Sequence, residues 1–399
     1  MTPAHGRLAV LTRGRVAVSL LFLLYGTILG IWTARIPAVK QRLGLSDGQL
    51  SIGLLAFAAG AIVGMQAAGP LVDRLRSGRV MIPAAVADGA LLVLPAFAFD
   101  LPVLALCLFA FGAVHGTLNV AMNVNAVEVQ RAMDRPIISS CHAVYSAGGF
   151  LGAGIGGLFA FAGAGAGTTF LSVAGGAALV AVGAAAWALP AELTPRPEPD
   201  PGAARGGAAL TAVLFLGVLV FCCLVGEGAA ADWSAVYLRD SLGSAAGFAA
   251  TAYAAFSIAM MGGRLAGDRL TAWLGPVRLV RACGVLAAVG LAGALLIGRP
   301  LAGVAGFACL GAGLSCIAPQ VFAAAGSRDP ARAGQAIGRV AGMGFLGFVV
   351  GPVVIGGAAQ LFGLPRALLI PALLALFVAA AAPALRPRAA TSAAAGSTP

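Results

Sequence analysis

Two stretches decide the reading of this chain: GPLVDRLRSGR at residues 69–79 and GRLAGDRLTAWLGPVR at residues 263–278. Each opens on a glycine, carries an Asp-Arg pair, ends on an arginine and lies between two long apolar runs. Asp73 and Asp268 stand 195 residues apart, about half of the 399-residue chain. A polar segment that recurs at such a spacing marks a duplicated unit.

The sequence around the two stretches fixes the solvent. Hydrophobic residues make up 60% and charged residues 10% of the chain, and the mean hydropathy is +0.96. A soluble domain carries about a quarter charged residues, so this chain buries its surface in lipid. Its 57 glycines suit close helix packing, because lipid supplies no hydrophobic drive between helices. The net charge of +11 is spread over short loops rather than gathered on one face, which excludes a nucleic-acid partner. All seven cysteines fall in apolar runs, with no CxxC pair and no zinc spacing, so no metal and no cofactor are expected. No nucleophile–base pair or phosphate loop points to an enzyme.

Twelve apolar runs have spanning length: 16–36, 49–71, 80–98, 101–127, 137–162, 168–189, 209–232, 245–263, 277–298, 301–325, 335–360 and 366–384. Arg7, Arg13 and Arg15 precede the first run, which has no cleavage site and is read as a retained helix. With the N-terminus inside, only Arg35, Lys40, Arg42, Arg239, Arg299 and Arg366 face outward. The other 19 of the 25 basic residues, Arg264 among them, face inward. The positive-inside rule then puts both termini in the cytoplasm. The Pro- and Gly-rich segment 190–208 divides six runs from six and reads as a cytoplasmic linker. The expected fold is an all-α membrane protein with twelve transmembrane helices in two pseudo-symmetric six-helix bundles. The bundles are 1–189 and 209–385, with a disordered tail at 386–399.

The first stretch resembles the loop motif of the major facilitator superfamily, G-x-L-x-D-R-x-x-x-G-R, and the resemblance extends over the chain from Val16 to about Leu385. Within the superfamily, LNVAMNVNAVEVQ (118–130), RPIISSCHAVYSAGGFLGAGIGG (135–157) and EGAAADWSAVYLRDSLG (227–243) resemble the fucose-permease-like branch and an uncharacterised bacterial group in it. One departure stands out: members of that branch carry an acidic residue where this chain has Asn119. The resemblance implies a secondary transporter with alternating access, normally a monomer, coupled to a proton or another cation. It also implies a conformational latch. Gly69 lets the second and eleventh helices touch, and Asp73 faces the start of the eleventh near Gln335. Arg74 and Arg79 pair with Glu128. Asp268, followed by Arg269, plays the matching part against the helix that starts at Pro136. A purely topological role for these residues is the alternative.

Polar side chains at membrane depth are costly and mark function or helix pairing. His115, Asn119 and Asn123 are spaced by four and form one stripe. His142 and Tyr145 share a face of the next helix. Tyr25 and Trp32 share a side of the first, while Gln66, Tyr253 and Gln320 are single candidates. Amides, hydroxyls and rings suit a small uncharged polar, sugar-like solute, and no unpaired basic residue at mid-depth speaks for an anion. Packing between helices is the competing role for the asparagines, and for Trp32 an interfacial anchor. Glu227, between two glycines, is the candidate for proton coupling, with Asp232 and His142 behind it. Asp232 is expected to pair with Arg239 or Arg35. A drug or metabolite exporter is the second reading, from Gly152, Gly154, Gly156 and Gly157 with GPVVIGG at 351–357; exporters carry an arginine where this chain has Gly112. A membrane receptor that reuses the fold is a third.

Overall fold

The computed structural model describes residues 3–190, 193 and 207–386. The linker expected over 190–208 and the tail over 386–399 lie outside the described residues, except at their edges and at Leu193. Among the described residues there is no strand. The long helices are α1 (Pro3–Leu43), α2 (Asp47–Leu75), α3 (Ser77–Leu91), α4 (Leu101–Met133), α5 (Ile138–Phe161), α6 (Ala166–Ala185) and α7 (Gly207–Val236). After the single turn α8 (Ala246–Ala249) come α9 (Thr251–Ile297), α10 (Pro300–Leu314), α11 (Ile317–Arg328) and α12 (Ala333–Phe362). The turn α13 (Leu364–Ala367) and the helix α14 (Leu369–Ala381) follow.

Eleven helical segments among the described residues are long and apolar enough to cross a bilayer. The longest, Gly247–Ile297, has 51 residues. At 1.5 Å per residue it is about 75 Å long, against a hydrocarbon core of about 30 Å. It breaks at Gly275, where φ is 73° and ψ is 162°, a conformation open to glycine almost alone. Arg76, between α2 and α3, has nearly the same backbone, with φ 77° and ψ 149°. Both recurring stretches therefore contain a break of the same backbone type, at positions 199 residues apart.

Packing follows the small residues. A Cβ on Gly60 or Gly64 of α2 would run into the carbonyl oxygens of Phe109 and Ala113 on α4, and one on Gly112 or Gly116 into those of Phe57 and Ala61. Such backbone approach is what lipid-embedded helices use for cohesion. Helices α1 to α6 pack on one another, chiefly as α1–α5, α2–α4 and α3–α4. Helices α7 to α14 do likewise, as α7–α12, α9–α10 and α9–α14. The two groups meet along α2–α12 and α5–α9, with α4 against α11 and α12.

Candidate functional site

The end of the molecule where α2 passes to α3 is sewn shut. Asp73, in the last turn of α2, accepts hydrogen bonds from the backbone N–H groups of Gly334 (2.7 Å) and Gln335 (3.2 Å) at the start of α12. First-turn N–H groups lack intrahelical partners and carry the positive end of the helix dipole, so a carboxylate fits there. A Cβ on Gly69 would lie 2.9 Å from the Gln335 Cα, so this crossing needs glycine. Asp268 of α9 accepts from Ser139 N–H (2.9 Å) and Ser140 N–H (3.2 Å) at the start of α5. Donors and acceptors of the two seams correspond at an offset of 195 residues. The Arg131 guanidinium, at the end of α4, donates to the Gly326 carbonyl of α11 at the same separation. Gln66 donates to the Gly338 carbonyl (3.1 Å), and Gln320 to the Thr271 hydroxyl (2.8 Å).

Away from that end, a polar network runs through the first group. Asp88 of α3 is fully buried, and both its oxygens lie within 3.2 Å of His115 Nδ1 on α4. The His115 ring stacks on Tyr25 of α1, with centroids 3.8 Å apart and planes 12° apart. Asn119 donates to the Tyr25 hydroxyl (3.2 Å). The Asn123 amide donates to the Asn119 backbone carbonyl (2.8 Å), and its oxygen lies 3.2 Å from His142 Nε2. The His142 ring stacks on Phe322 of α11, and Tyr145 lies 5.6 Å from Tyr25. Asn119 and Tyr145 are half-buried, whereas His115, Asn123 and His142 are buried.

A second polar cluster bridges the groups. Arg264 of α9 donates to the Ser146 hydroxyl of α5 (2.7 Å) and pairs with Glu227 of α7 at 3.3 Å. Its side chain is 8% exposed and that of Glu227 20%. Cys223 Sγ lies 3.9 Å from the same carboxylate. Among the described residues no group of His, Cys, Asp and Glu could hold a metal ion.

The structure departs from several sequence expectations. Arg264 is no loop charge but an interior one, because α9 continues helically through the motif to the break at Gly275. Asp88 is a single acid inside an apolar run, and no sequence pattern marks it. Glu128 does not meet Arg74 or Arg79, which are exposed. It accepts from Ser77 (2.5 Å) and Asn125 (3.5 Å), whose hydrogen-bonding groups lie nearer than those long side chains. Asp232 is exposed and reaches neither proposed partner: Arg35 donates to the Ala164 carbonyl, and Arg239 pairs with its neighbour Asp240 at 3.4 Å. Trp32 is buried against Phe111 and Phe170, in the core rather than at an interface or a cavity. Gln66 and Gln320 belong to the closed seam. Tyr253, 44% exposed, stacks on Phe256. Arg269 is exposed beside Asp268.

Comparison with known proteins follows the same lines. The sequence profile of the Major Facilitator Superfamily matches residues 17–333. An uncharacterized MFS-type transporter of Yersinia pestis is 33% identical over 93% of this chain and 95% of its own length. The uncharacterized transporter y4wD of Sinorhizobium fredii is 34% identical over 92% and 96%. Membrane protein MosC of Rhizobium meliloti is 31% identical over 92% and 88%. Among solved structures, the transporter FucP in the outward conformation superposes with a TM-score of 0.78 at 18% identity, covering 93% of this chain and 98% of that one. The proton:xylose symporter XylE gives 0.71 at 13% identity, covering 94% and 95%.

Proposed function

We propose that this chain, which belongs to the Major Facilitator Superfamily, carries a small uncharged polar, sugar-like solute across the bacterial inner membrane by alternating access, coupled to a proton. It is a membrane transporter and not an enzyme. The 51-residue segment counts as two crossings joined at Gly275, which makes twelve spans in two six-helix halves, 1–189 and 209–385. Both termini lie in the cytoplasm, and the protein works as a monomer. The sewn end is then the cytoplasmic one, and the half-buried Asn119, Tyr145 and Glu227 are reached from outside.

One observation carries the solute reading: Asn119 presents a half-buried amide that donates to the Tyr25 hydroxyl and accepts from Asn123 at 3.5 Å, with Tyr145 beside Tyr25. Amides hydrogen-bond hydroxyls, and rings cover the apolar face of a sugar. Arg264, an interior cation, is neutralised by Glu227, so among the described residues this cluster leaves no free cation for an anionic solute. The fold shared with a fucose:proton and a proton:xylose symporter agrees with this reading. Glu227 is the coupling carboxylate, since a proton there would release Arg264 from its ion pair. The paired seams of Asp73 and Asp268 are the latch of the inward-closed state, with Gly69 admitting the helix crossing.

The test is a thermal-shift screen of the detergent-purified protein, with sugars and polyols in one arm and lipophilic cations in the other. A ligand that binds only the folded state stabilises it by about 2.7 kcal/mol at a hundred times its Kd. Stabilisation by a sugar or polyol that Asn119→Ala abolishes supports the proposal. Stabilisation by lipophilic cations alone replaces it with the exporter reading.

A further inference from the structure

The Asp88–His115 pair has no task in the mechanism above, yet it is the most deeply buried ionisable pair in the described structure. Asp88 is 0% and His115 1% exposed. His115 is the hydrogen-bond partner that the structure gives Asp88, through Nδ1 at 3.0 and 3.2 Å. The other ring nitrogen, Nε2, is buried without a partner. Among the described residues, none around the pair supplies a compensating charge. Helix α1 contributes the Tyr25 phenol, with the Tyr145 phenol of α5 behind it. Helix α2 contributes the Phe57 ring, 5.7 Å from His115, and α4 itself Phe111. Helix α6, which packs on α3, has no ionisable side chain.

We propose that Asp88 and His115 together form a second proton-binding site, in the first half of the transporter, with His115 Nε2 as the atom that takes and gives the proton. The inference rests on the transport reading only for its consequence. With Asp88 ionised and His115 neutral, Nδ1–H donates to the carboxylate, Nε2 is a bare acceptor and the pair carries one buried negative charge. A proton delivered by hydronium to Nε2 leaves water behind and makes an imidazolium–carboxylate pair of zero net charge. The neutral pair suits the apolar setting, whereas the charged one is costly there. A further proton would leave the pair positive, so the site holds one.

The geometry also gives the site a route to the solute. The His115 ring lies flat on Tyr25, and a cation over a phenol face draws on its electrons. The Tyr25 oxygen accepts from Asn119, so protonation makes it a poorer acceptor and frees the amide for a ligand hydroxyl. Asp88 and His115 thereby act on Asn119 from behind, without touching the solute.

Nitrogen-15 NMR of histidine-labelled protein in detergent reads the protonation of His115 directly, with no solute present. The chain has three histidines. A version with His5 and His142 replaced by Gln leaves the His115 signal alone. The expected result is conversion from the neutral Nδ1–H form to the imidazolium as pH falls, and loss of that conversion in Asp88→Asn. Proton uptake, followed with a pH-sensitive dye, should fall by about one per chain in the same variant. A His115 signal that keeps one form over the whole folded range overturns the proposal, as does an Asp88→Asn protein that takes up as many protons as the parent. The titration of the Asp88-containing protein decides the matter even if Asp88→Asn does not fold. A chain that titrates in this way but is stabilised by no sugar or polyol loses the solute reading and keeps this one.

Discussion

Replacing Asp73 by Asn should open the sewn end of the molecule. In the structure the carboxylate accepts two backbone N–H groups, at 2.7 and 3.2 Å. Hydrogen bonds to a charged group contribute about 1.5–3 kcal/mol each, and the helix dipole adds about 0.3–1 kcal/mol. Asn keeps one acceptor oxygen but turns a donor toward the second N–H and removes the charge. The net loss is therefore about 2–3 kcal/mol. At about 1.4 kcal/mol per factor of ten, the closed-to-open ratio falls roughly 30- to 150-fold. Asp268→Asn acts on bonds of 2.9 and 3.2 Å at the other seam and should shift the ratio in the same direction. The two seams share no partner, so their effects should add in the double variant. Fluorophores on cysteines introduced at Gly78 and Arg332 read the opening as a distance. The background replaces Cys107 and Cys309, the two native thiols that are not buried. Turnover should slow, with solute affinity mostly intact. Unchanged distance distributions in both single variants would refute the latch and leave the aspartates as markers of topology.

The same structure sets three further expected outcomes. Asn119→Ala and Asn123→Ala should each weaken binding of the stabilising sugar or polyol by about 1–3 kcal/mol, measured by isothermal titration; unchanged affinity in both reassigns them to packing. Glu227→Gln should weaken the pH dependence of transport in proteoliposomes and leave the share that the Asp88–His115 pair contributes; a variant with an unchanged pH dependence moves the coupling proton away from Glu227. Gly275→Ala forces a Cβ into a backbone with φ 73° and should destabilise the protein by about 1–3 kcal/mol in thermal unfolding, whereas the same change at Gly262, helical and open to space, should be nearly silent.

Much of the architecture was legible because lipid imposes one rule on every span. Apolar runs of spanning length mark the helices, and eleven long segments appear where twelve runs were read. The discrepancy sits in one place: the runs 245–263 and 277–298 are joined by a motif that stays helical as far as Gly275. Hydropathy sees that motif as polar and hence as a loop, while the backbone stays helical through it and bends at Gly275. The same confusion hid Arg264. By composition it belongs with the inward-facing arginines, but helical continuity carries it inside to Ser146 and Glu227. Asp88 escaped for the opposite reason, since one acid does not break an apolar run and its partner His115 is 27 residues away on another helix. Spacing along one helix brought out His115, Asn119 and Asn123. What joined them to Tyr25 and His142 was packing between helices, which no pattern in one segment encodes.

The two halves of the repeat have diverged at a position that bears directly on the proposed coupling. At the offset of 195, Gly69 corresponds to Arg264. Gly69 sits where α12 crosses so closely that even a methyl group would strain the contact. In the second seam the close approach has moved three residues on, to Gly267, whose Cβ would lie 2.6 Å from the Ser139 Cβ. That shift frees position 264 for a long side chain. Arginine there reaches back across the interface to Ser146 and sideways to Glu227. At this position one seam is thus a close contact between backbones, while the other carries an ion pair within reach of the half-buried site. A proton on Glu227 would loosen only the second, so the α5–α9 seam is the one expected to yield first when the carrier turns over.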